Sequence, residues 1–561
     1  MSAPQPVSAR DLARAAISDA LAAAQADGAL PELADGDWAP RVEVVRPDNP
    51  EHGDLSTNLA LQLAGRLKRP PRAIAEALAQ RLPAAARDGV ISRAEVAGPG
   101  FVNLWLAPRY VEAALDAVRA DGSDYGRVPA EITRSIHVEF VSANPTGPLT
   151  IGNARGAFVG DLLCRVLEAV GHRVTREYYF NDFGTQVENL GKSVLAVRHG
   201  APIPDDGYRG AYVGELAAQL PDEVAGAAEA QPERAGWIVG EWASERVRQG
   251  IEASLEHLGV HFDVWTSEGS LHGEGWVERA VDRLRESGHL YEQEGALWFR
   301  STDFGDDKDR VVIRSNGQPT YLAADVGYLT EKFSRDFEQL IYIWGADHHG
   351  TVVRLRGAAE ALGFDREQVQ VLLIAWVRFV REGREISMSK RSGEFITLDE
   401  LLAEVGVDAA RWFFASRSPS TGIDFDIELA RKQSNENPVY YVQYAHARIS
   451  SILRKATAEG LAPSESLRGG LEGDEVSLGL AKELLRLPDV VRDAAEAYET
   501  QAITTYATGV ATTFHAFYRD RRVVDADDPE TSAGRLALVD AARITLANAL
   551  GLLGISAPDS M

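Results

Sequence analysis

Residues 136 to 170 restrict the possible folds most. Ile136 to Val141 is an apolar run of strand length, Pro145 and Pro148 then forbid regular pairing, and Val159, Leu162, Leu163, Val166, Leu167 and Val170 recur at helical spacing. A buried strand that passes through a short turn into a helix with one apolar face is half of a βαβ unit. From Ser135 onward such runs, Leu340 to Trp344 among them, alternate with helical segments, so a doubly wound parallel sheet is expected. The turn itself, Ser142 to Gly156, places free helix N-terminal amides beside Gly152 and Gly156, which keep side chains out of the way. An anion such as a nucleotide phosphate suits that position.

At 561 residues the chain exceeds one compact core, and about three or four domains are expected. Its 58 basic and 83 acidic residues give a net charge of −25, which argues against general adhesion to nucleic acid or anionic membrane. Any nucleic-acid partner must be gripped by local basic patches. A single cysteine, Cys164, permits no internal disulfide and no cysteine-based metal site; it reads as a small core residue, and a reducing, cytoplasmic setting is expected. Residues 1 to 28 lack the apolar core of a signal peptide, and no membrane span is expected.

Helices are expected over 8–25 and 57–83, with strands at Val42–Val45 and Phe101–Leu106, giving a small α+β unit that ends at the turn-rich stretch Asp121 to Arg127. An acidic, Ala- and Gly-rich stretch from about Pro202 to Glu256 reads as a helical insertion. Beyond about Asn437 strand signals stop, and Leu536, Val539, Ala542, Leu546, Leu550 and Leu553 lie at helical spacing, so a helical bundle is expected.

A second phosphate-binding candidate is the basic, Gly-containing segment Ser387-Met388-Ser389-Lys390-Arg391-Ser392-Gly393, followed by the helix start Thr397 to Glu400. With the Ser142–Gly156 turn, it resembles the two ATP-binding motifs of class I aminoacyl-tRNA synthetases. The flanking text, Asp408 to Arg411 and Ser434 to Pro438 included, narrows the resemblance to arginyl-tRNA synthetases of the bacterial type, from about His52 to Met561. The resemblance implies a multidomain α/β protein. Residues 1–118 would be a tRNA-elbow domain, residues 119–436 a Rossmann-like catalytic domain with the insertion at about 202–256, and residues 437–561 an α-helical anticodon-binding bundle.

The implied reaction is ATP-dependent activation of L-arginine and transfer to tRNA(Arg). Two motifs depart from the family pattern. His-Ile-Gly-His is replaced by Thr150-Ile151-Gly152-Asn153, and Lys-Met-Ser-Lys-Ser by Ser387-Met388-Ser389-Lys390-Arg391. Thr150 and Asn153 still offer a hydroxyl and an amide to phosphate oxygens, and Lys390 is the candidate to follow the departing pyrophosphate, with Arg384 or Arg391 as alternatives for the missing charge. Gly152, Asp347, His348, Met388, Ser389, Lys390 and Arg391 are the implied ATP contacts. Magnesium would arrive with the ATP phosphates, and no protein-bound metal is expected; Asp347, His348 and His349 diverge on one turn.

Reading a guanidinium requires acidic acceptors spread in a plane. Phe262 to Glu268 and Tyr321 to Asp325 resemble the family's guanidinium-reading segments, which makes Glu268 and Asp325 the acidic readers and Tyr321 a pocket wall. Ser142 and Asn144 resemble the residues that hold the amino group and carboxylate, and Tyr178 to Gln186 matches the family and shapes the site. For tRNA, the cluster Arg66, Lys68, Arg69 and Arg72 is the N-terminal candidate, and Phe514, Phe517 and Tyr518 with Arg519, Arg521 and Arg522 the C-terminal one. A monomer is expected. Because three family groups are replaced, a non-catalytic tRNA-binding relative is the alternative reading; retention of Ser142, Asn144, Tyr321 and Asp325 argues against it.

Overall fold

The computed structural model describes residues 8–33, 41–86, 89–386, 396–467 and 469–561. Helix α1 (Ala9–Ala26) starts where the Asp11 amide donates to the Ser8 hydroxyl at 3.1 Å, and it buries Ala13, Ala16, Ile17, Ala20, Leu21 and Ala24 along one face. After it come β1 (Leu55–Thr57), α2 (Leu59–Leu67), α3 (Pro71–Ala79), α4 (Leu82–Ala85), β2 (Ile91–Ala97) and β3 (Phe101–Leu106). The three strands form an antiparallel sheet in the order β1-β3-β2.

The single helix expected over 57–83 is three. Lys68 ends α2 in the left-handed region at φ +50°, and Pro70 and Pro71, which lack the amides a continuing helix needs, restart the chain as α3. The strand expected at Val42–Val45 shrinks to one bridge, Val45 to Ser56, because β1 offers only 3 residues to pair with and Pro47 halts extension. Strand β2 escaped the periodicity because Arg93 and Glu95 stand on it, both exposed.

Helix α5 (Pro108–Asp121) leads into β4 (Ser135–Glu139), α6 (Ile151–Ala169), β5 (Arg173–Phe180) and α7 (Thr185–Arg198). Three helices then interrupt the alternation: α8 (Ala211–Gln219), α9 (Asp222–Ala230) and α10 (Ala235–His257). The alternation resumes with β6 (Val264–Ser267), α11 (Glu268–Gly273) and α12 (Trp276–Glu286). A small antiparallel sheet, β7 (Leu290–Gln293), β8 (Ala296–Phe299) and β9 (Arg310–Ile313), precedes α13 (Tyr321–Ser334), β10 (Gln339–Gly345), α14 (His349–Ala361) and β11 (Val369–Ile374).

The central sheet is parallel throughout in the order β11-β10-β4-β5-β6, as the apolar alternation predicts. From β4 the chain passes through α6 to β5 on one side, while β10 lies on the other. The topology therefore reverses beside β4, and open α/β sheets bind ligands in the crevice at such a carboxyl edge. Helix α6 presses unusually close to the strand before it: a Cβ on Gly160 would lie 2.3 Å from the Phe140 ring. Cys164 is buried on the same helix, a core residue as expected.

Strands β12 (Val377–Arg381) and β13 (Arg384–Glu385) form a hairpin before residues 387–395; α15 (Leu398–Val405), α16 (Val407–Ala415), β14 (Ile423–Asp426) and α17 (Ile427–Arg431) follow. The chain continues as five helices, α18 (Pro438–Ala458), α19 (Glu475–Leu484), α20 (Leu487–Ala497), α21 (Gln501–Asp520) and α22 (Pro529–Leu552). Leu536, Val539, Ala542, Leu546, Leu550 and Leu553 are all buried, so the expected bundle is present. Phe514 and Phe517 are also fully buried, which corrects their assignment as base-stacking residues: their helical spacing marks the bundle core, and of that trio only Tyr518 reaches solvent.

Arg411 joins the bundle to the sheet domain. Its buried guanidinium donates to Asp161 of α6 at 2.7 Å, to the carbonyls of Leu258 and Gly259 at 2.8 and 2.9 Å, and to the Leu553 carbonyl after α22 at 3.2 Å.

Candidate active site

The carboxyl end of β4 carries unusual backbone. Val141 and Ser142 adopt φ of +66° and +42°, a region that a β-branched side chain avoids and that persists only when its surroundings hold it. Four hydrogen bonds hold it. The Ser142 amide donates to the Phe140 carbonyl at 2.9 Å, the Ser142 hydroxyl donates to Glu139 at 3.1 Å and accepts the Tyr179 amide at 3.2 Å, and the Tyr178 hydroxyl donates to the Ala143 carbonyl at 2.9 Å. Asn144, exposed at the rim, donates to Gln186 at 2.8 Å.

At the start of α6, Asn153 folds back so that its Oδ1 accepts both the Thr150 amide at 3.1 Å and the Thr150 hydroxyl at 3.0 Å. In this state both side chains serve as the helix cap. Gly152 is exposed in the first turn, beside the free amides of a 19-residue helix. Main-chain bonds tie this turn to the segment after the basic loop: Leu398 donates to the Leu149 carbonyl at 3.0 Å and Ile151 to the Ile396 carbonyl at 3.3 Å. On the other side of the loop, Ile386 donates to the Phe379 carbonyl at 2.9 Å. Met388, Ser389, Lys390 and Arg391 lie outside the described residues, while both flanks of their segment are anchored. Arg155, buried on α6, donates to the carbonyls of Ala375 and Ser418 at 2.9 and 2.8 Å, fixing the chain beyond β11 against the same helix.

Glu268 and Asp325 come from β6–α11 and α13. Ser267 caps α11, and Asp182 accepts the Ser267 hydroxyl and the Gly269 amide, which sets Glu268 inward, 7% exposed, to accept the Tyr179 hydroxyl at 2.7 Å. Burial raises its carboxyl above the ordinary range. Asp325 lies on the second turn of α13; burial, and then the nearby Glu139 and Glu268, push it up to about 7. Among the described residues no lysine or arginine lies within ion-pair distance of either carboxylate. Tyr321, one turn before Asp325, is 71% exposed, and Tyr328, one turn after it, is buried and donates to Glu177.

Below this pair is a buried ionic layer that the sequence did not disclose. Glu139 and Glu177 are register partners on β4 and β5. Lys332 binds Glu139 at 2.5 Å between the rings of Tyr328 and Tyr342, while Arg335 binds Glu177 at 2.7 Å. Burial opposes the charge on Glu177, but His137, Arg335 and Lys332 outweigh it and hold its carboxyl well below the usual range. His137, buried and near Lys332, is lowered to about 3 and stays neutral. Glu139 and Glu177 are thus residues under the candidate site that sequence reasoning missed, whereas Tyr179 lies in the segment Tyr178 to Gln186 that it singled out. The available signal was the period of two, which puts Glu177 and Tyr179 on one face of β5.

Asp347 and His348 occupy an exposed turn after β10, the strand next to β4 at the topological reversal. Their side chains lie 3.7 Å apart, and His348 approaches the Trp344 ring at 5.7 Å. No group of three or more potential metal ligands occurs among the described residues. Far from this edge, Lys68, Arg69 and Arg72 are exposed around the α2–α3 turn, with Arg72 paired to Glu76. In the C-terminal cluster Arg519, Arg521 and Arg522 pair with Asp520, Asp474 and Asp525.

Residues 11–106 match the family described as the arginyl tRNA synthetase N terminal domain, residues 116–196 and 241–419 the class I (R) tRNA synthetase catalytic domain, and residues 442–561 the DALR anticodon binding domain. The arginine–tRNA ligase of Moorella thermoacetica is 46% identical over 558 residues, covering 98% of each chain, and that of Bacillus subtilis is 43% identical over 536 residues, covering 94% of this chain and 96% of its own. The solved structure of the arginyl-tRNA synthetase of Thermus thermophilus superposes with a TM-score of 0.76 at 25% identity, over 98% of this chain and all of its own. Three matching regions in one order, relatives alike from end to end and a shared tertiary structure have one reading: the chain belongs to the arginyl-tRNA synthetase family.

Proposed function

We propose that this aminoacyl-tRNA ligase joins L-arginine to tRNA(Arg) through an arginyl-adenylate. The observation that carries the reading is the neighbouring pair Glu268 and Asp325, two largely buried carboxylates with raised pKa and, among the described residues, no lysine or arginine paired with either. Such a pair suits one planar cation and accepts a guanidinium better than a compact ammonium. Tyr179 orients Glu268, and Tyr321 closes the open side. Ser142 and Asn144 hold the amino acid's other end near the α6 turn, where Gly152 leaves room for phosphate.

ATP arrives as its magnesium complex, the metal held by phosphates and water. Thr150 and Asn153 donate to phosphate oxygens, Asp347 and His348 border the adenosine, and Met388, Ser389 and Arg391 flank Lys390 as it follows the leaving pyrophosphate. With the arginine carboxylate in line with the α-phosphate, attack yields the adenylate, and a ribose hydroxyl of the terminal adenosine then takes the arginyl group. Positioning and charge stabilisation suffice, without a covalent protein intermediate. The protein acts as a cytoplasmic monomer. Incubating total tRNA with each radiolabelled amino acid in turn tests the reading: charging with arginine alone is expected, whereas no charging, or charging with another amino acid, overturns it.

A further inference from the structure

Phe183, in the loop between β5 and α7, leaves 49% of its surface in solvent although it belongs to a built cluster. One face stacks on His272 of α11, with centroids 5.4 Å apart and planes at 30°, and its edge meets Trp237 of the insertion helix α10 at 6.0 Å and 78°. The loop is held: the Phe183 amide donates to Asn181 at 3.0 Å, and the neighbouring Asp182 is fixed by Ser267 and Gly269. His272 lies 4.0 Å from Glu268, so the cluster stands at the rim of the acidic pocket, between the insertion and the sheet domain.

An apolar core needs no such exposed ring, and the bordering charges are of the wrong sign for phosphate. Asp182, Glu268 and Asp325 make the pocket acidic, so a polyanion whose end enters it is repelled along its backbone. A single strand is held in such a place through its bases, which stack on aromatic faces whatever their sequence. We propose that Phe183, backed by His272 and Trp237, is a stacking platform for an unpaired base at the 3′ end of tRNA, which it holds while the terminal ribose is presented to the adenylate. The inference rests on the functional reading above.

The test uses the full-length protein and two tRNA(Arg) transcripts, one with its complete single-stranded 3′ end and one with that end removed. The wild-type protein is expected to bind the complete transcript about tenfold more tightly, from the usual worth of one base–aromatic stack. Phe183→Ala is expected to bind both alike, and Phe183→Trp to keep the preference. The proposal is overturned if Phe183→Ala retains the wild-type preference, if the wild-type protein has none, or if Phe183→Ala raises the arginine KM as much as the tRNA KM, which would make Phe183 a wall of the amino-acid pocket. The functional reading stands or falls separately, on whether the wild-type protein charges tRNA with arginine.

Discussion

A carboxyl raised to about 7 connects arginine recognition to pH. Asp325 in the free protein is protonated below that value, because burial and two neighbouring acids disfavour its charge. The unfolded chain gives up this proton near pH 4, so Asp325 contributes a loss of stability that grows as pH rises from about 4 to about 7. Binding has the opposite sign. Arginine selects the ionised form, so its affinity is expected to fall below pH 7, by up to about tenfold per unit for one proton. Asp325→Asn is expected to weaken arginine by about 2–5 kcal/mol, to spare ATP, and to flatten the profile below pH 7. Titration calorimetry across pH 5.5–8.5, a range of roughly three units around the raised pKa, decides it: equal affinities for wild type and mutant remove Asp325 from the pocket. At this scale the sequence singled out the two acids that the fold brings together, since Glu268 and Asp325 sit in recognisable segments. It could not show Glu139, Glu177 or Lys332, whose pairing depends on side chains from different elements meeting under the pocket.

Between elements, the contact of α6 with the β4 extension sets how the turn before α6 is aimed. Glycine inside a helix ordinarily costs about 1 kcal/mol relative to alanine. Gly250, exposed in α10 with nothing within 4 Å of an added Cβ, is expected to follow that rule, so Gly250→Ala should gain roughly 0.5–1 kcal/mol. Gly160 should reverse it. Its Cβ would stand 2.3 Å from the Phe140 ring, and overpacking of about 1–3 kcal/mol outweighs the gain in propensity. Urea unfolding of the two variants should give opposite signs, and stabilisation by Gly160→Ala would mean the helix can lift from the sheet. The elements themselves were legible where one periodicity ran unopposed, as in α6, β10 and α22. Legibility failed over 57–83, where alanine and leucine continued the helical pattern through Pro70 and Pro71, and at β2, where polar residues masked a strand that depends on β3 for its pairing.

Across the whole molecule, the terminal regions hold one another. Arg10 of α1 pairs with Asp489 and Asp493 at 3.2 and 2.7 Å, Asp11 pairs with Arg492 at 2.8 Å, and buried Glu112 of α5 accepts the amides of Gly469 and Leu471. A tRNA that touches both ends therefore acts on one connected frame around the catalytic sheet. With the family's two histidines and first loop lysine replaced, the proposed role of Lys390 carries more of the chemistry, and tRNA binding is expected to favour the arrangement that places it. Arginine-dependent ATP–pyrophosphate exchange is accordingly expected to be nearly absent without tRNA and to rise about a hundredfold with it, a coupling of about 2.7 kcal/mol. Vigorous exchange by the tRNA-free protein would refute the coupling. Removal of residues 1–118 is expected to abolish the response; because it also strips partners from α20, its melting curve belongs in the same experiment.

Arg411 gives the order of synthesis a cost. Asp161 meets Arg165 one turn later on its own helix, but its second guanidinium partner, Arg411, is made 250 residues after it and waits a further 142 residues for the Leu553 carbonyl. At roughly 5–20 residues per second, the nascent α6 carries an incompletely paired buried acid for about 12–50 seconds as it leaves the ribosome. During that interval the half-made sheet domain is a substrate for chaperones and proteases, and the link that Arg411 makes from α6 to the C-terminal bundle closes only when the final helix has emerged and docked.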